Sequence, residues 1–236
     1  MPVLILAVDT SNRQGSLAVL RDERVIAATG GISEEPYASR LFVDLGRVLG
    51  EAQVKLEEID LLAVATGPGS FTGLRVGLTA VKAWAEVFGR PIAAVSGLEA
   101  VAVQAGATDR LLVAVIDARG GQFFGAIFRR ADQSTSQLQL LGEEVVLKSE
   151  EFFRWVAQQT GGQSPVFLSP TIGAVKGALA VSALAGAPLE EVSGELAPFI
   201  GRLGHTRALR GQLVDPLSLE ANYIRRPDAE VNWKGG

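Results

Sequence analysis

Two stretches of this chain begin alike. Residues 3–8 are an unbroken apolar run ending in Asp9; Thr10, Ser11 and Asn12 turn the chain, and residues 15–20 resume an apolar run. The pattern returns at residues 111–116, which end in Asp117, turn through Ala118, Arg119, Gly120, Gly121 and Gln122, and continue as an apolar run over 123–128. Short apolar, β-branched runs bounded by turn formers predict strands. A strand–aspartate–turn–strand unit that occurs twice predicts an internal duplication, and so two related lobes.

The first unit reads on from there. Residues 25–29 complete a three-strand meander. Ser33, Glu34, Glu35 and Pro36 carry a capping hydroxyl, negative charge and a first-turn proline, which predict a helix start. Leu41, Phe42, Leu45, Val48, Leu49 and Ala52 then recur at helical spacing. A buried strand is predicted over 61–66, a glycine-rich loop over 67–73 and a second helix over 74–88. Leu74, Leu78, Val81, Ala85 and Phe88 form one stripe of that helix, with Gly77, Ala80, Trp84 and Val87 beside it. An apolar arc this wide predicts burial on two sides, the sheet on one and either the first helix or another chain on the other.

A strand at 91–95 leads into Ser96, Gly97, Leu98 and Glu99, which have the spacing of a capping box. The first unit closes near residue 105. Helices are expected from Ser149 through Trp155, and from Pro198 to about Gly211, with a surface tail over 220–236.

Composition removes several function classes. The 236-residue chain has no cysteine and one histidine, His205. Thiolate zinc sites and a cysteine nucleophile are excluded, and a zinc or iron centre built on several imidazoles is not available. Ser11, Ser16 and Ser70 have no histidine partner in a hydrolase arrangement. His205 is expected to face solvent on its helix. A net charge of −4 gives no overall basic field for a phosphate backbone. Arg202, Arg207, Arg210, Arg225, Arg226 and Lys234 concentrate towards the C-terminus, as either a local positive surface or a solvated face. No signal-peptide pattern or apolar membrane span is read, so a cytoplasmic protein without membrane contact is expected.

The candidate cofactor-binding residues are Asp9, Gly67 and Gly69. Glycines between a strand and a helix let backbone amides approach a phosphate, but Leu74 and Arg75 stand where a Walker loop needs Lys and Ser or Thr. Asp9 and Asp117 each suit a metal-bound phosphate or a turn in which the carboxylate accepts backbone amides, the turn being the leading reading for Asp117.

The opening Leu4-Ile5-Leu6-Ala7-Val8-Asp9-Thr10-Ser11, the segment from Ala65 through Gly77 containing Gly67-Pro68-Gly69-Ser70-Phe71-Thr72-Gly73, Asp117-Ala118-Arg119, and Tyr223-Ile224-Arg225-Arg226-Pro227 together resemble the TsaB (YeaZ) family. The resemblance implies an α/β actin-like ATPase fold (ASKHA, ribonuclease H-like), with two duplicated lobes of mixed sheets flanked by helices. The lobes expected are 1–105, completed by 213–236, and a smaller 106–212. It further implies a non-catalytic scaffold in threonylcarbamoyl transfer to the adenosine beside the anticodon of tRNA. Its partners would be a TsaD-type catalytic paralogue and a TsaE-type ATPase, with a homodimer when alone and tRNA met only through the complex. TsaD-like enzymes bind metal through two histidines four residues apart, a pair that a chain with one histidine lacks.

No catalytic residue, metal ligand or cofactor of the isolated chain is therefore expected, and a nucleotide only at a subunit boundary. The expected partner surface is Leu41, Leu45, Val48 and Leu49 on the first helix with Gly77, Ala80 and Trp84 on the second. The rival readings are a small-molecule phosphotransferase using ATP and Mg, which the same fold supports, and a metallopeptidase.

Overall fold

The structure is a computed structural model that describes residues 2–32, 35, 37–130 and 137–224. Its chain order is β1 (Leu4–Asp9), β2 (Ser16–Arg21), β3 (Arg24–Gly30), α1 (Tyr37–Ala52), β4 (Leu61–Gly67), α2 (Phe71–Phe88), β5 (Ile92–Ser96) and α3 (Gly97–Ala102). There follow β6 (Leu112–Arg119), β7 (Gln122–Arg130), β8 (Leu138–Lys148), α4 (Ser149–Gln159), β9 (Val166–Ser169), α5 (Ile172–Ala180), β10 (Leu189–Glu191) and α6 (Ala197–Leu209). The helix start expected at Ser33, Glu34 and Pro36 lies outside the described residues, as do Arg225, Arg226, Pro227 and Lys234.

The two sheets are copies of one design. The first runs β3-β2-β1-β4-β5 and the second β8-β7-β6-β9-β10, so each central strand has an antiparallel hairpin on one side and parallel strands on the other. Asp9 ends the first central strand, and Asp117 lies two residues before the end of the second. This duplicated mixed-sheet pattern is the actin-like fold, and the repeated aspartate turn was its imprint in the sequence.

In the first unit, apolar side chains of β1, β2 and β4 share a core with α1 and α2 that includes Leu6, Leu17, Val64, Leu41, Val81 and Trp84. In the second, Phe123, Phe152, Phe153 and Phe167 meet edge to face or tilted, at centroid distances of 5.4–6.1 Å. Such aromatic contacts add to the burial of the rings themselves.

The compact units depart from the expected lobes: residues 101–105 and 223–224 fall in the second unit and residues 195–212 in the first. The second compact unit is Val101–Gly194 with residues 223–224, and Glu195–Asn222 return to the first. Helix α6, assigned from sequence to the second lobe, packs on β1, β2, β4 and β5. Its glycines explain the fit. A β-carbon on Gly201 would overlap Leu20 and one on Gly204 would overlap the Ala63 methyl, so the helix backbone lies directly on the sheet. Ser16 Oγ accepts a hydrogen bond from Ala197 N at 2.9 Å at the start of α6.

The close seat of α6 also corrects His205, which is 8% exposed instead of facing solvent. Its Nε2 lies 3.7 Å from Asp22 Oδ1, while Nδ1 is buried without a hydrogen-bond partner. Arg202 Nε donates to the Glu23 carbonyl at 3.1 Å, and Arg207 pairs with Glu99 of α3, so two of the six C-terminal basic residues serve internal contacts.

Candidate partner-binding surface and the glycine loop

The β1–β2 turn and the loop before α2 form one packed unit. Asp9 is fully buried; Oδ1 accepts the Ser11 amide at 2.8 Å and Oδ2 the Asn12 side-chain amide at 3.1 Å. Burial pushes its carboxyl above the usual aspartate value, against these hydrogen bonds, which lower it. The Asx-type reading of Asp9 therefore accounts for both of its oxygens. Asp117 adopts the same kind of turn, with Oδ1 accepting the Arg119 amide at 2.8 Å.

Gly69 and Gly73 of the loop, and Gly77 of α2, meet this turn. A β-carbon at Gly69 would fall on Ser11 O, at Gly73 on Thr10 O and at Gly77 on Thr10 Oγ1. Two hydrogen bonds fasten the contact: Ser70 N donates to Ser11 O at 2.7 Å, and Thr10 Oγ1 donates to Gly73 O at 2.7 Å. Gly67 sits at φ +123°, where glycine is favoured, and its added β-carbon would meet Asn222 O at 2.9 Å. Ser70 caps α2 by accepting the Gly73 amide at 3.3 Å. The space beside Gly69, Gly73 and Gly77, which a phosphate-binding loop leaves to its ligand, is taken here by Thr10 and Ser11.

A comparable plug lies at the start of α1. A β-carbon on Gly15 would overlap the Tyr37 ring, and Arg40 Nη2 donates to the Tyr37 hydroxyl at 2.8 Å while its guanidinium stacks 4.3 Å from the ring centre. Burial pushes the Tyr37 phenol up to about 12. Among the described residues, no group of three His, Asp or Glu side chains could hold a metal ion. No helix of the described residues is long and apolar enough to cross a membrane.

The predicted partner-facing residues separate into two sets. Leu41, Leu45, Val48 and Trp84 are buried in the first unit's own core, and Gly77 is spent against Thr10. They form no outer surface of the folded chain. The physical reason is that α1 has a single strong apolar stripe, and the sheet of its own unit claims it. Leu49 and Ala80 are only partly buried and lie at the rim of that core.

Around those two runs a second, sparser apolar strip. Phe42, Gly46 and Leu49 follow one another at helical spacing on α1, as do Val76, Ala80, Ala83 and Val87 on α2. Phe42 is 67% and Val87 74% exposed, and nothing lies within 4 Å of a β-carbon at Gly46. Because α1 packs beside α2, the strip offers bulky and small residues on two adjacent helices. Of these residues, Ala80 and Val87 belonged to the second stripe read from sequence, whereas Gly46 and Ala83 carried no hydropathy signal.

Comparison with known proteins places this geometry. Residues 17–165 match the family described as TsaD: tRNA N6-adenosine threonylcarbamoyltransferase. The TsaB tRNA threonylcarbamoyladenosine biosynthesis protein of Bacillus subtilis is 34% identical over 53% of this chain and 55% of its own length. TsaB of Haemophilus influenzae is 30% identical over 64% of this chain and 59% of its own. The chain thus spans just over half the length of these curated relatives. YeaZ from Pseudomonas aeruginosa superposes with a TM-score of 0.78 at 25% identity, covering 94% of this chain and 99% of that one. The chain belongs to the TsaD family and, within it, to the TsaB (YeaZ) group.

Proposed function

We propose that the chain acts in the formation of threonylcarbamoyladenosine on tRNA as a non-catalytic scaffold that binds and activates a TsaD-type transferase. The observation that carries the reading is the self-filled glycine loop. Thr10 and Ser11 occupy the space beside Gly69, Gly73 and Gly77, so the machinery of a phosphate site is used to pack the chain's own turn against α2. A chain with one histidine, itself buried in α6, also lacks the His-x-x-x-His pair expected of the transferring subunit.

The contact with the transferase runs along the outer strip of α1 and α2, through Phe42, Leu49, Ala80, Ala83 and Val87. Exposed apolar residues gathered on two neighbouring helices suit a helical interface better than scattered surface residues do. A TsaE-type ATPase completes the assembly, tRNA is met through the complex, and a subunit boundary is the one place left for a nucleotide.

The test mixes the purified chain with a TsaD-type paralogue at micromolar concentration and physiological salt and measures native mass by light scattering on a sizing column. The expected result is a species with the summed mass of one copy of each. Separate elution of two folded proteins overturns the proposal. Calorimetry of the isolated chain with ATP and Mg²⁺ is expected to give no binding heat, whereas millimolar or tighter binding would favour a phosphotransferase.

A further inference from the structure

Asp9 closes the turn that carries Thr10 and Ser11, and that turn touches the start of α2 at three places, its N-cap Ser70, Gly73 and Gly77. Ser11 O holds the Ser70 amide, Thr10 Oγ1 holds Gly73 O, and Thr10 again fills the space beside Gly77 one helical turn later. Three glycines at spacing four, Gly69, Gly73 and Gly77, are what allow the turn to approach the helix backbone itself. An approach to backbone fixes the helix in translation and rotation more tightly than side-chain packing does, because no rotamer change can relieve it.

We infer that the Thr10 hydroxyl is a positioning residue for partner binding: through its bond to Gly73 O it sets the orientation of α2, and with it the outer strip at Val76, Ala80, Ala83 and Val87. The inference rests on the partner-binding reading of α1 and α2. In it, a turn that could have handled phosphate works as a mechanical anchor for an interface helix. Thr10 itself is 3% exposed and reaches no outer surface, so it acts on the partner only through α2.

The experiment uses the full chain and a TsaD-type paralogue, with affinity measured by surface plasmon resonance and α2 amide exchange followed by mass spectrometry on the chain alone. Thr10→Val keeps the side-chain shape and removes the hydroxyl; Thr10→Ala removes the same bond without adding a methyl and serves if the valine variant does not fold. Either is expected to weaken partner binding about tenfold, the equivalent of one lost buried hydrogen bond at the strong end of its range, and to speed exchange in the first turns of α2. Thr10→Ser retains the hydroxyl and should restore both readings. Ala83→Arg, on the outer strip, should abolish binding with exchange in α2 unchanged.

If Ala83→Arg abolishes binding while the Thr10 variants bind like the native chain, the anchor role is overturned and the interface stands. If Ala83→Arg binds normally, the interface is wrong and the anchor role falls with it. Weakened binding by Thr10→Val that Thr10→Ser does not restore also overturns the role assigned to the hydroxyl.

Discussion

Gly201 of α6 and Leu20 of β2 are packed without room for another atom: a β-carbon on Gly201 would lie under 3.0 Å from both terminal carbons of Leu20. Leu20 is fully buried, so it has no free space into which to swing. Alanine in a helix interior gains about 1 kcal/mol over glycine from backbone entropy. Overpacking a filled core costs about 1–3 kcal/mol. Gly201→Ala is therefore expected to lower stability, read as a reduced urea midpoint with unchanged slope. An unchanged or raised midpoint would mean that α6 shifts off the sheet freely.

The ion pair of Arg207 with Glu99 ties α6 to α3 within the same unit. Both side chains are largely sheltered, at 24% and 19% exposure, and Arg207 Nη1 is already buried without a hydrogen-bond partner. Removing the carboxylate leaves the guanidinium without its counter-charge, so Glu99→Ala should destabilise by about 1–3 kcal/mol. Arg207→Met in turn leaves the Glu99 carboxylate, at 19% exposure, without its cation and should cost a similar amount, while the double variant Glu99→Ala/Arg207→Met should cost less than the two single variants summed. Denaturant unfolding of the three variants tests this, and strictly additive costs would show that the two side chains are not coupled.

What the sequence disclosed follows from how strongly each element repeats a simple pattern. The aspartate turns at Asp9 and Asp117 and the helix through Leu41, Leu45 and Val48 were legible because a buried strand or stripe is dense in apolar residues. Strands β8, β9 and β10 were not read. In β8, Gly142 at φ +81° and the adjacent Glu143 and Glu144 break the period-two alternation, and β10 is three residues long. The seat of α6 escaped because glycine and histidine faces have no hydropathy signature, although Gly201 and Gly204 decide where the helix lies. For the partner surface, burial of Leu41, Leu45 and Val48 gives the search a direction. The densest stripe of α1 is the one its own sheet buries, so an outer contact must be sought in the residues that stripe leaves over.

Asp9 gives a pH dependence with a definite sign. Its folded-state pKa is raised above 3.8 by burial, so the folded chain holds this proton more tightly than the unfolded chain. The stabilising contribution is fully present below 3.8 and is lost as pH rises through the folded-state value. Asp9→Asn carries no such charge and keeps an oxygen to accept the Ser11 amide. Relative to the native chain, the variant should therefore gain stability with rising pH. Melting temperatures of both from pH 4 to pH 8 test this, and parallel curves would mean that Asp9 does not titrate in that range.

Leu45 and Ala83 separate the core of α1 and α2 from their outer strip. Leu45 is 7% exposed and belongs to the first unit's core, so Leu45→Ala should cost about 2–5 kcal/mol through lost burial and the cavity left behind. Its effect on a TsaD-type partner should follow the folded fraction alone. Ala83 is exposed on α2, so Ala83→Arg should leave the unfolding midpoint within about 0.5 kcal/mol of the native chain while removing the partner. Ala80→Arg combines the two, because Ala80 is partly buried at the rim of the core and should lose stability as well as binding. Thermal unfolding and light scattering with the paralogue on all three variants resolve them. A destabilised Ala83→Arg, or a Leu45→Ala that remains folded yet cannot bind, would return the interface to the inner stripe.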